Sequence, residues 1–272
     1  MAGIPRNAVS GRPYSGINVW LLGGPYPDPF WLTFAQAKKA GGTVRKGEKG
    51  SFVVFYKSYK KEASDGKEES RFVLRYYNVF NASQCDGVES LIENRQAEIG
   101  DDKPSIDADP IESAETILNG YIGGEYGPGF LACDQNSAYY APTLDHIRMP
   151  KLESFETPEA YYDVAFHEIA HSTGHRNRLQ RDSIVNHASF RSHAYSREEL
   201  VAEFGASYLC ALAGIDRESL TDNSAAYIRS WLKFLKSDPK AIVQAASKGE
   251  KAARWIMGER GSVAADLESI AA

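Results

Sequence analysis

The 272-residue sequence contains only three cysteines, and their spacing argues against two structural classes. Cys85, Cys133 and Cys210 are odd in number, lie far apart and form no CxxC pair. A disulfide framework needs paired cysteines, and a cysteine zinc site needs closely spaced ones. We therefore interpret all three as free, buried thiols. A zinc nucleobase deaminase is also disfavoured, because its signature contains a PCxxC run that this sequence lacks.

Long apolar runs are absent as well. No stretch reaches the roughly 18 consecutive apolar residues that a membrane-spanning helix needs. Residues 1–16 lack the apolar core of a secretory signal peptide. We therefore expect a cytoplasmic protein without a membrane partner. Its composition, 43% hydrophobic and 25% charged, is that of a folded globular protein and excludes disorder throughout.

The charges are unevenly distributed along the chain. Residues 1–82 contain 13 lysines and arginines against 6 acidic residues, whereas residues 83–272 contain 18 against 30. A basic segment joined to an acidic one is typical of a nucleic-acid-binding module fused to a separate activity. The two segments are therefore expected to have different partners.

Turn signals and apolar periodicity predict an α+β protein with two domains. Residues 1–82 are predicted to form a small α+β domain, with a helix capped by Thr33 and a hairpin of aromatic strands. Residues 83–112 are polar and acidic and are predicted to form a linker or insertion. Residues 113–272 are predicted to be mainly helical, with short strands before most helices. The main helices expected in this second domain span residues 157–173, 197–212, 223–236 and 239–255.

The strongest chemical signal is the run HEIAH at residues 167–171. His167 and His171 are four residues apart, so in a helix they project from one face and reach a single metal ion. Glu168 is then placed to act as general base on a metal-bound water. His175 follows the second histidine by four residues, which departs from the metzincin spacing of six. The alternative is a pair of histidines packed on a polar helix face.

A catalytic zinc site needs a third protein ligand, and the segment SREELVAEFGASYLCALAG offers two acids. Glu199 and Glu203 share a predicted helix face with small residues, where burying acids without a cation is costly. The pattern E-x-x-A-E-x-x-A resembles the second helix of gluzincin-type metallopeptidases, in which the first acid binds metal and the second orients a ligand histidine. That likeness implies that Glu199 is the ligand and that Glu203 orients a ligand histidine, with Glu203 as the alternative ligand. The other interpretation is that both acids are solvated on an exposed helix face. The small residues are Ala202, Ala206 and Cys210.

The donor set His-His-Glu predicts one bound divalent metal ion. We expect zinc, with manganese as the alternative, because histidine and carboxylate ligands accept both ions.

The N-terminal segment interleaves cations with aromatic residues. Cations that follow a phosphate backbone and rings on which bases stack are the two components of single-strand binding. The alternative is that the rings form the core and the cations are solvated. The candidate DNA-binding residues are Arg6, Arg12, Tyr14, Lys38, Lys39, Arg45, Lys46 and Lys49. Further rings in the segment are Trp20, Trp31, Phe52, Phe55, Tyr56, Tyr76 and Tyr77.

Together these motifs resemble the ArdC-type antirestriction proteins of conjugative plasmids. The runs that carry the resemblance are PRNAVSGRPYSGINVWLL, FWLTFAQAKKAGGTVRKGEKGSFVVFY, AYYAPTLDHIRMP, HEIAHSTGHRNRL and SREELVAEFGASYL. The resemblance implies a single-stranded-DNA-binding domain joined to a zincin-like metallopeptidase domain, acting to protect entering plasmid DNA from host restriction. The residues that match the metallopeptidase motif are His167, Glu168, His171 and either Glu199 or Glu203.

Three functions are consistent with these observations. The first is an antirestriction protein that binds single-stranded DNA and carries a metal site, with a restriction-system component as a further candidate partner. The second is an intracellular zinc metalloprotease whose basic module positions it, with the run AYYAPTLDHIRMP as an edge strand for a protein substrate. In the third, the metal only fastens two helices together.

Overall fold

The chain divides into two compact units, residues 1–103 and 104–272. The α+β fold class predicted from the sequence is confirmed. Among the described residues, none of the helices is both long and apolar enough to cross a membrane. The predicted helix over residues 223–236 lies outside the described part of the chain. The computed structural model describes residues 4–23, 26–62, 68–99, 109–186, 193–215 and 239–260.

The first unit combines short helices with a mixed sheet. Its strands are β1 (Arg6–Asn7), β2 (Phe30–Leu32), β3 (Thr43–Val44), β4 (Ser51–Glu62), β5 (Glu68–Asn81) and β6 (Cys85–Asp86). Its helices are α1 (Ile17–Leu22), α2 (Phe34–Lys39) and α3 (Glu89–Ile99). The main sheet has the order β1-β2-β5-β4, with β1 and β2 parallel and the other neighbours antiparallel. Strands β3 and β6 form a separate antiparallel ladder.

Alternation along β2 divides the interior of this unit into two clusters. Phe30 and Leu32 pack with Ala37 of α2 in one cluster. Trp31, between them in sequence, packs with Val53 of β4 in the other. Successive side chains of a strand point to opposite faces, so this three-residue strand contributes to both clusters. All three residues of β2 are buried.

The helix and the hairpin predicted in this unit are both confirmed. Thr33 begins α2 with a capping box: its hydroxyl accepts from the Gln36 amide at 3.2 Å, and the Gln36 side chain accepts from the Thr33 amide at 2.9 Å. Strands β4 and β5 pair antiparallel along their length, beginning with Ser51 opposite Val79. Both predictions rested on local signals that do not depend on the rest of the fold.

The structure corrects the linker predicted over residues 83–112. Its first part belongs to the first unit, because Cys85, Val88 and Ile92 are buried in the core beside β2. The acidic residues of α3 lie on the exposed face of that helix. Composition alone did not distinguish such a solvated helix face from a linker.

The second unit places helices against a small sheet. Its elements are α4 (Pro110–Ile122), β7 (Gly129–Cys133), β8 (Tyr139–Ala141), β9 (His146–Pro150), α5 (Pro158–Ser172), α6 (Asp182–Val185), α7 (His193–Ala213) and α8 (Pro239–Ile256). The sheet has the order β7-β9-β8, with β7 parallel and β8 antiparallel to β9. Strand β9 is therefore central, and within the run AYYAPTLDHIRMP it is β8 that lies at the sheet edge.

Small residues let helices α5, α7 and α8 approach one another closely. A Cβ atom added at Gly205 of α7 would lie 2.8 Å from the Cβ of Ala170 on α5. One added at Gly249 of α8 would lie 2.5 Å from the Cβ of Phe204 on α7. Side chains at either glycine would force these helices apart. The small residues predicted to line this face are fully buried: Ala202, Ala206 and Cys210.

All three cysteines are free. Cys85 and Cys210 are buried, as predicted, whereas Cys133 at the end of β7 is half-buried. The prediction of buried thiols is therefore confirmed for two of the three.

Candidate metal centre and nucleic-acid surface

Helix α5 carries the HEIAH run, and local sequence sets its boundaries. Thr157 caps the N-terminus through its side chain, and Pro158 takes the first helical position, where its missing N–H costs nothing. Gly174 lies just beyond the C-terminal end. His167 and His171 consequently lie one turn apart on the same face, with ring centroids 4.7 Å apart.

The structure brings together two imidazoles of α5 and one carboxylate of α7. Ligand atoms of His167, His171 and Glu199 all lie within 4.8 Å of one another. The two Nε2 atoms are 3.1 Å apart. Nε2 of His167 lies 3.5 Å from Oε2 of Glu199, and Nε2 of His171 lies 3.5 Å from Oε1 of the same carboxylate. Donors bound to a tetrahedral zinc ion lie roughly 3.3 Å from one another. The spacing and the donor types therefore fit one small divalent ion.

Glu203 lies behind His167 rather than among these ligand atoms. Its Oε1 is 3.8 Å from Nδ1 of His167, the ring nitrogen that does not face His171. Burial favours the neutral imidazole, but a hydrogen bond with Glu199 and the charges of Glu168 and Glu203 outweigh it and raise the pKa of His167 to about 9. The surroundings of this imidazole therefore favour positive charge.

Glu168, the predicted general base, follows His167 directly on α5. The residue is only 8% exposed, and its charge contributes to the raised pKa of its neighbour. His175, whose spacing departs from the metzincin pattern, has its Nδ1 3.8 Å from Oδ2 of Asp145. Glu168 thus lies next to a residue of the cluster, whereas His175 faces Asp145.

Sequence reasoning missed a buried ion pair next to the cluster. Oε1 of Glu198, which precedes Glu199 on α7, lies 3.4 Å from Nδ1 of His171 and 2.6 Å from Nη2 of Arg181. Burial opposes ionisation of this carboxyl, but Arg181 and His171 hold the pKa of Glu198 well below its usual range. One signal was present: two adjacent acids directly before the largely apolar part of helix α7.

Most of the candidate DNA-binding residues are exposed, and some of them also contact other residues of the first unit. Arg45 pairs with Glu48 at 3.1 Å and with Asp86 at 3.3 Å. Arg6 donates to a backbone carbonyl at 3.2 Å. Tyr14 packs against the cluster beneath β2, and burial raises the pKa of its hydroxyl, outweighing a hydrogen bond within the unit. The exposed candidates are Arg12, Lys38, Lys39, Arg45, Lys46 and Lys49.

The aromatic residues of the first unit also divide into two sets. Trp31 is buried, so this ring belongs to the core of the first unit. Phe55 and Tyr77, on neighbouring strands, contact each other edge to face with ring centroids 5.3 Å apart. The Tyr56 side chain lies outside the described residues. The exposed rings on α1 and the hairpin are Trp20, Phe52, Phe55, Tyr76 and Tyr77.

Helix α1, which bears Trp20, is fastened to the edge strand of the hairpin. Nδ2 of the Asn18 side chain donates to the Val54 carbonyl at 2.9 Å, and its Oδ1 accepts from the backbone N–H of Val54 at 2.7 Å. Asn18 is buried, so both contacts form away from solvent. The side chain thereby supplies β4 with the two hydrogen bonds that a further strand would make.

Two family descriptions match consecutive parts of the chain. Residues 1–80 match the N-terminal domain of the anti-restriction factor ArdC. Residues 130–248 match a zincin-like metallopeptidase. The second match includes the HEIAH helix and helix α7.

Several proteins are similar to this chain over nearly its whole length. An uncharacterized protein of Sinorhizobium fredii, y4eC, is 34% identical over 94% of this chain and 81% of its own length. A DNA primase TraC of Escherichia coli is 32% identical over 93% of this chain, which corresponds to only 24% of the primase. The antirestriction ArdC protein from plasmid R388 is similar in structure, with a TM-score of 0.66 and 34% identity over 96% of this chain and 89% of that one.

The R388 protein is also known in a Mn(II)-bound structure, with a TM-score of 0.65 and 35% identity over 94% of this chain and 88% of that one. That structure, the zincin-like match and the donor set described above support a divalent metal. The two family matches follow each other in the order that the sequence resemblance implies. The chain belongs to the ArdC-type antirestriction family, with an ArdC N-terminal domain followed by a zincin-like domain.

Proposed function

We propose that this protein binds single-stranded DNA with its first unit, holds a divalent metal ion in its second, and protects DNA entering a cell from host restriction. The observation that carries the DNA proposal is the set of exposed rings on α1 and the hairpin, in a segment with an excess of lysine and arginine. The antirestriction relatives support the biological role. This role assigns the protein to the cytoplasm, where entering DNA meets restriction enzymes.

In this proposal, exposed rings contact the bases of a single strand and exposed lysines contact its phosphates. Bases stack on rings such as Phe55 and Tyr77 whatever their sequence, because every base has a π face. Lys46 and Lys49 extend from a turn into solvent and are suited to phosphates. Arg45, paired with two acids, is assigned instead to holding that turn in shape.

The biological role is tested by plasmid transfer. Recipient cells that contain or lack a restriction enzyme receive an unmodified plasmid, with or without this protein supplied beforehand. Protection predicts that the protein raises transfer into the restricting recipient and leaves transfer into the other recipient unchanged. An equal effect on both recipients, or none on either, would remove antirestriction as the function.

For the metal centre, we propose His167, His171 and Glu199 as ligands and zinc as the ion, with manganese as the alternative. Glu203 orients His167 through its Nδ1. An ion held by these three residues would act as a Lewis acid, polarising a carbonyl group and lowering the pKa of a water molecule. Glu168 is the residue proposed to accept a proton from that water.

A second candidate function is peptide hydrolysis. The observation that favours it is the buried Glu168 beside the three ligand candidates. In addition, β8 lies at the edge of its sheet, where an extended peptide can pair with it. In this role Glu168 accepts the proton of the attacking water and later returns it to the leaving amine.

Two variants separate the two roles of the metal. Glu168→Gln removes the base but keeps the shape of the side chain, whereas His171→Ala removes a ligand. If only His171→Ala abolishes protection, the metal fastens helices and the peptidase proposal fails. If both variants abolish protection while the protein stays folded and binds DNA, hydrolysis is part of the function.

A further inference from the structure

The Glu198 carboxylate lies in the interior of the second unit and forms an ion pair with Arg181. Glu198 is 4% exposed and Arg181 is 7% exposed. Nε of Arg181 donates to both carboxylate oxygens, at 3.1 and 3.0 Å, and Nη2 donates to one of them at 2.6 Å. Replacing a buried ion pair by apolar residues is often neutral or stabilising. Its presence therefore calls for a reason beyond stability.

The contacts of His171 supply that reason. Its Nδ1 lies 3.4 Å from Oε1 of Glu198, and its Nε2 lies 3.5 Å from Oε1 of Glu199. The ring thus spans two acids, with one nitrogen facing the ligand cluster and the other facing the ion pair. A third donor, the Ser183 hydroxyl, contacts Oε2 of Glu198 at 2.5 Å, the carboxylate oxygen that His171 does not face.

Arg181 is itself tied to the end of the helix that bears His171. Its Nη1 donates to the Thr173 hydroxyl at 2.7 Å, and its Nη2 donates to the Ala170 carbonyl at 2.8 Å. A Cβ atom at Gly174 would lie 3.0 Å from the same Nη2, so the glycine leaves room for the guanidinium. The arginine therefore links the C-terminal end of α5 to Glu198 on α7.

We infer that Glu198 is a positioning residue for the metal centre. It accepts the Nδ1–H of His171 and thereby directs the Nε2 lone pair toward the ion, while Arg181 and Ser183 hold the carboxylate in place. A histidine ligand needs its other nitrogen held in this way to fix both the tautomer and the ring orientation. The inference rests on the proposed metal site.

A second ion pair in the same unit provides a control, although its carboxylate, that of Asp145, is 29% exposed. Arg178 is also 7% exposed, contacts the Asp145 carboxylate, and donates to the Ser172 carbonyl at 2.7 Å. Asp145 faces His175 at 3.8 Å rather than the two proposed ligand histidines. Neutralising Asp145 therefore disturbs another carboxylate–arginine pair of this unit without touching the ring of His171.

The test compares Glu198→Gln with Asp145→Asn in the full chain. Affinity for Mn²⁺ and Zn²⁺ is measured by titration calorimetry, and the visible absorption of the Co²⁺-loaded protein reports the ligand geometry. We expect Glu198→Gln to lower metal affinity by about 10- to 100-fold and to shift the Co²⁺ spectrum. Asp145→Asn is expected to lower the melting temperature but to leave affinity and spectrum unchanged.

The outcomes separate this inference from the metal site itself. Wild-type protein that binds metal, with a Glu198→Gln variant of equal affinity and spectrum, would overturn the positioning role alone. Wild-type protein that binds no metal, or binds it equally after His167→Ala, would overturn the site. If Glu198→Gln does not fold, Ser183→Ala keeps the charge and removes one donor; a severalfold loss of affinity is expected, and no loss counts against the inference.

Discussion

The two units use arginine and lysine in opposite ways. In the first unit most of the candidate DNA-binding cations are exposed, among them Lys38, Lys39, Lys46 and Lys49. In the second unit Arg178 and Arg181 are each 7% exposed and make several hydrogen bonds to acids and helix carbonyls. Exposed lysines keep their rotamer freedom, whereas the buried arginines have a single set of partners.

This difference matches two kinds of ligand. A flexible polyanion needs many weak, interchangeable contacts, and its binding is strongly salt-dependent. A small metal ion needs a few donors held at fixed distances. We therefore expect variants of the second unit to have large effects on folding and metal affinity, and variants of the first unit to have smaller effects confined to DNA binding.

The largest effect is expected from Arg181→Ala. It leaves the Glu198 carboxylate buried without its main partner, so the free energy of unfolding should fall by about 3–5 kcal/mol. Urea denaturation of the full chain measures this change. Arg176→Ala is the control, since Arg176 is exposed and its loss should cost at most about 0.5 kcal/mol. Equal stabilities of the two variants would contradict the assigned role of the buried pair.

Metal binding is expected to stabilise the second unit. At a free ion concentration about 100 times Kd, the free energy of unfolding should rise by about 2.7 kcal/mol, because only the folded state has the site. Thermal melts with added Zn²⁺ or Mn²⁺, before and after a chelator, measure the effect. His167→Ala should abolish it. A variant that is still stabilised by the same ions would place the metal elsewhere.

Loss of one exposed ring should weaken single-strand binding. Tyr77→Ala is expected to cost about 1–3 kcal/mol of affinity for a single-stranded oligonucleotide, the usual value of one stacked base. Tyr139→Ala is the matched control, because both tyrosines are 44% exposed and Tyr139 lies in the second unit. Fluorescence anisotropy gives both affinities. Equal losses, or none in either variant, would refute the ring assignment.

The smallest effects are expected at the basic turn. Lys46→Ala with Lys49→Ala should reduce the slope of log affinity against log salt by about 0.7 for each lost phosphate contact. Arg45→Ala removes the charge and the pairing with Glu48 and Asp86. Because Arg45 is assigned to the shape of the turn, we expect this variant to leave the salt slope unchanged. A slope reduced by about 0.7 in Arg45→Ala would make Arg45 a phosphate contact.

Local signals in the sequence predicted much of the fold. The capping residue Thr33 marks the start of α2, and Thr157 with Pro158 marks the start of the HEIAH helix. The i, i+4 spacing of His167 and His171 placed both rings on one helix face. Each of these predictions depends on residues within one or two helical turns.

Other features depend on contacts that the sequence does not display. Arg181 meets Glu198 across 17 residues, and nothing near either residue indicates the partner. The acidic stretch after residue 82 looked like a linker, although Val88 and Ile92 bury one face of it. Tyr14 and Arg45 remain predicted DNA-binding residues, and the sequence did not show the packing of Tyr14 or the ion pairs of Arg45 within the first unit.

The most direct test of this account is the binding of a labelled single-stranded oligonucleotide to the full chain, followed by fluorescence anisotropy across a salt series. The affinity is expected to fall steeply with salt, to persist in the presence of excess duplex, and to stay unchanged when a chelator is added. Absence of binding, or equal competition by duplex, would contradict the central claim that the first unit holds single-stranded DNA.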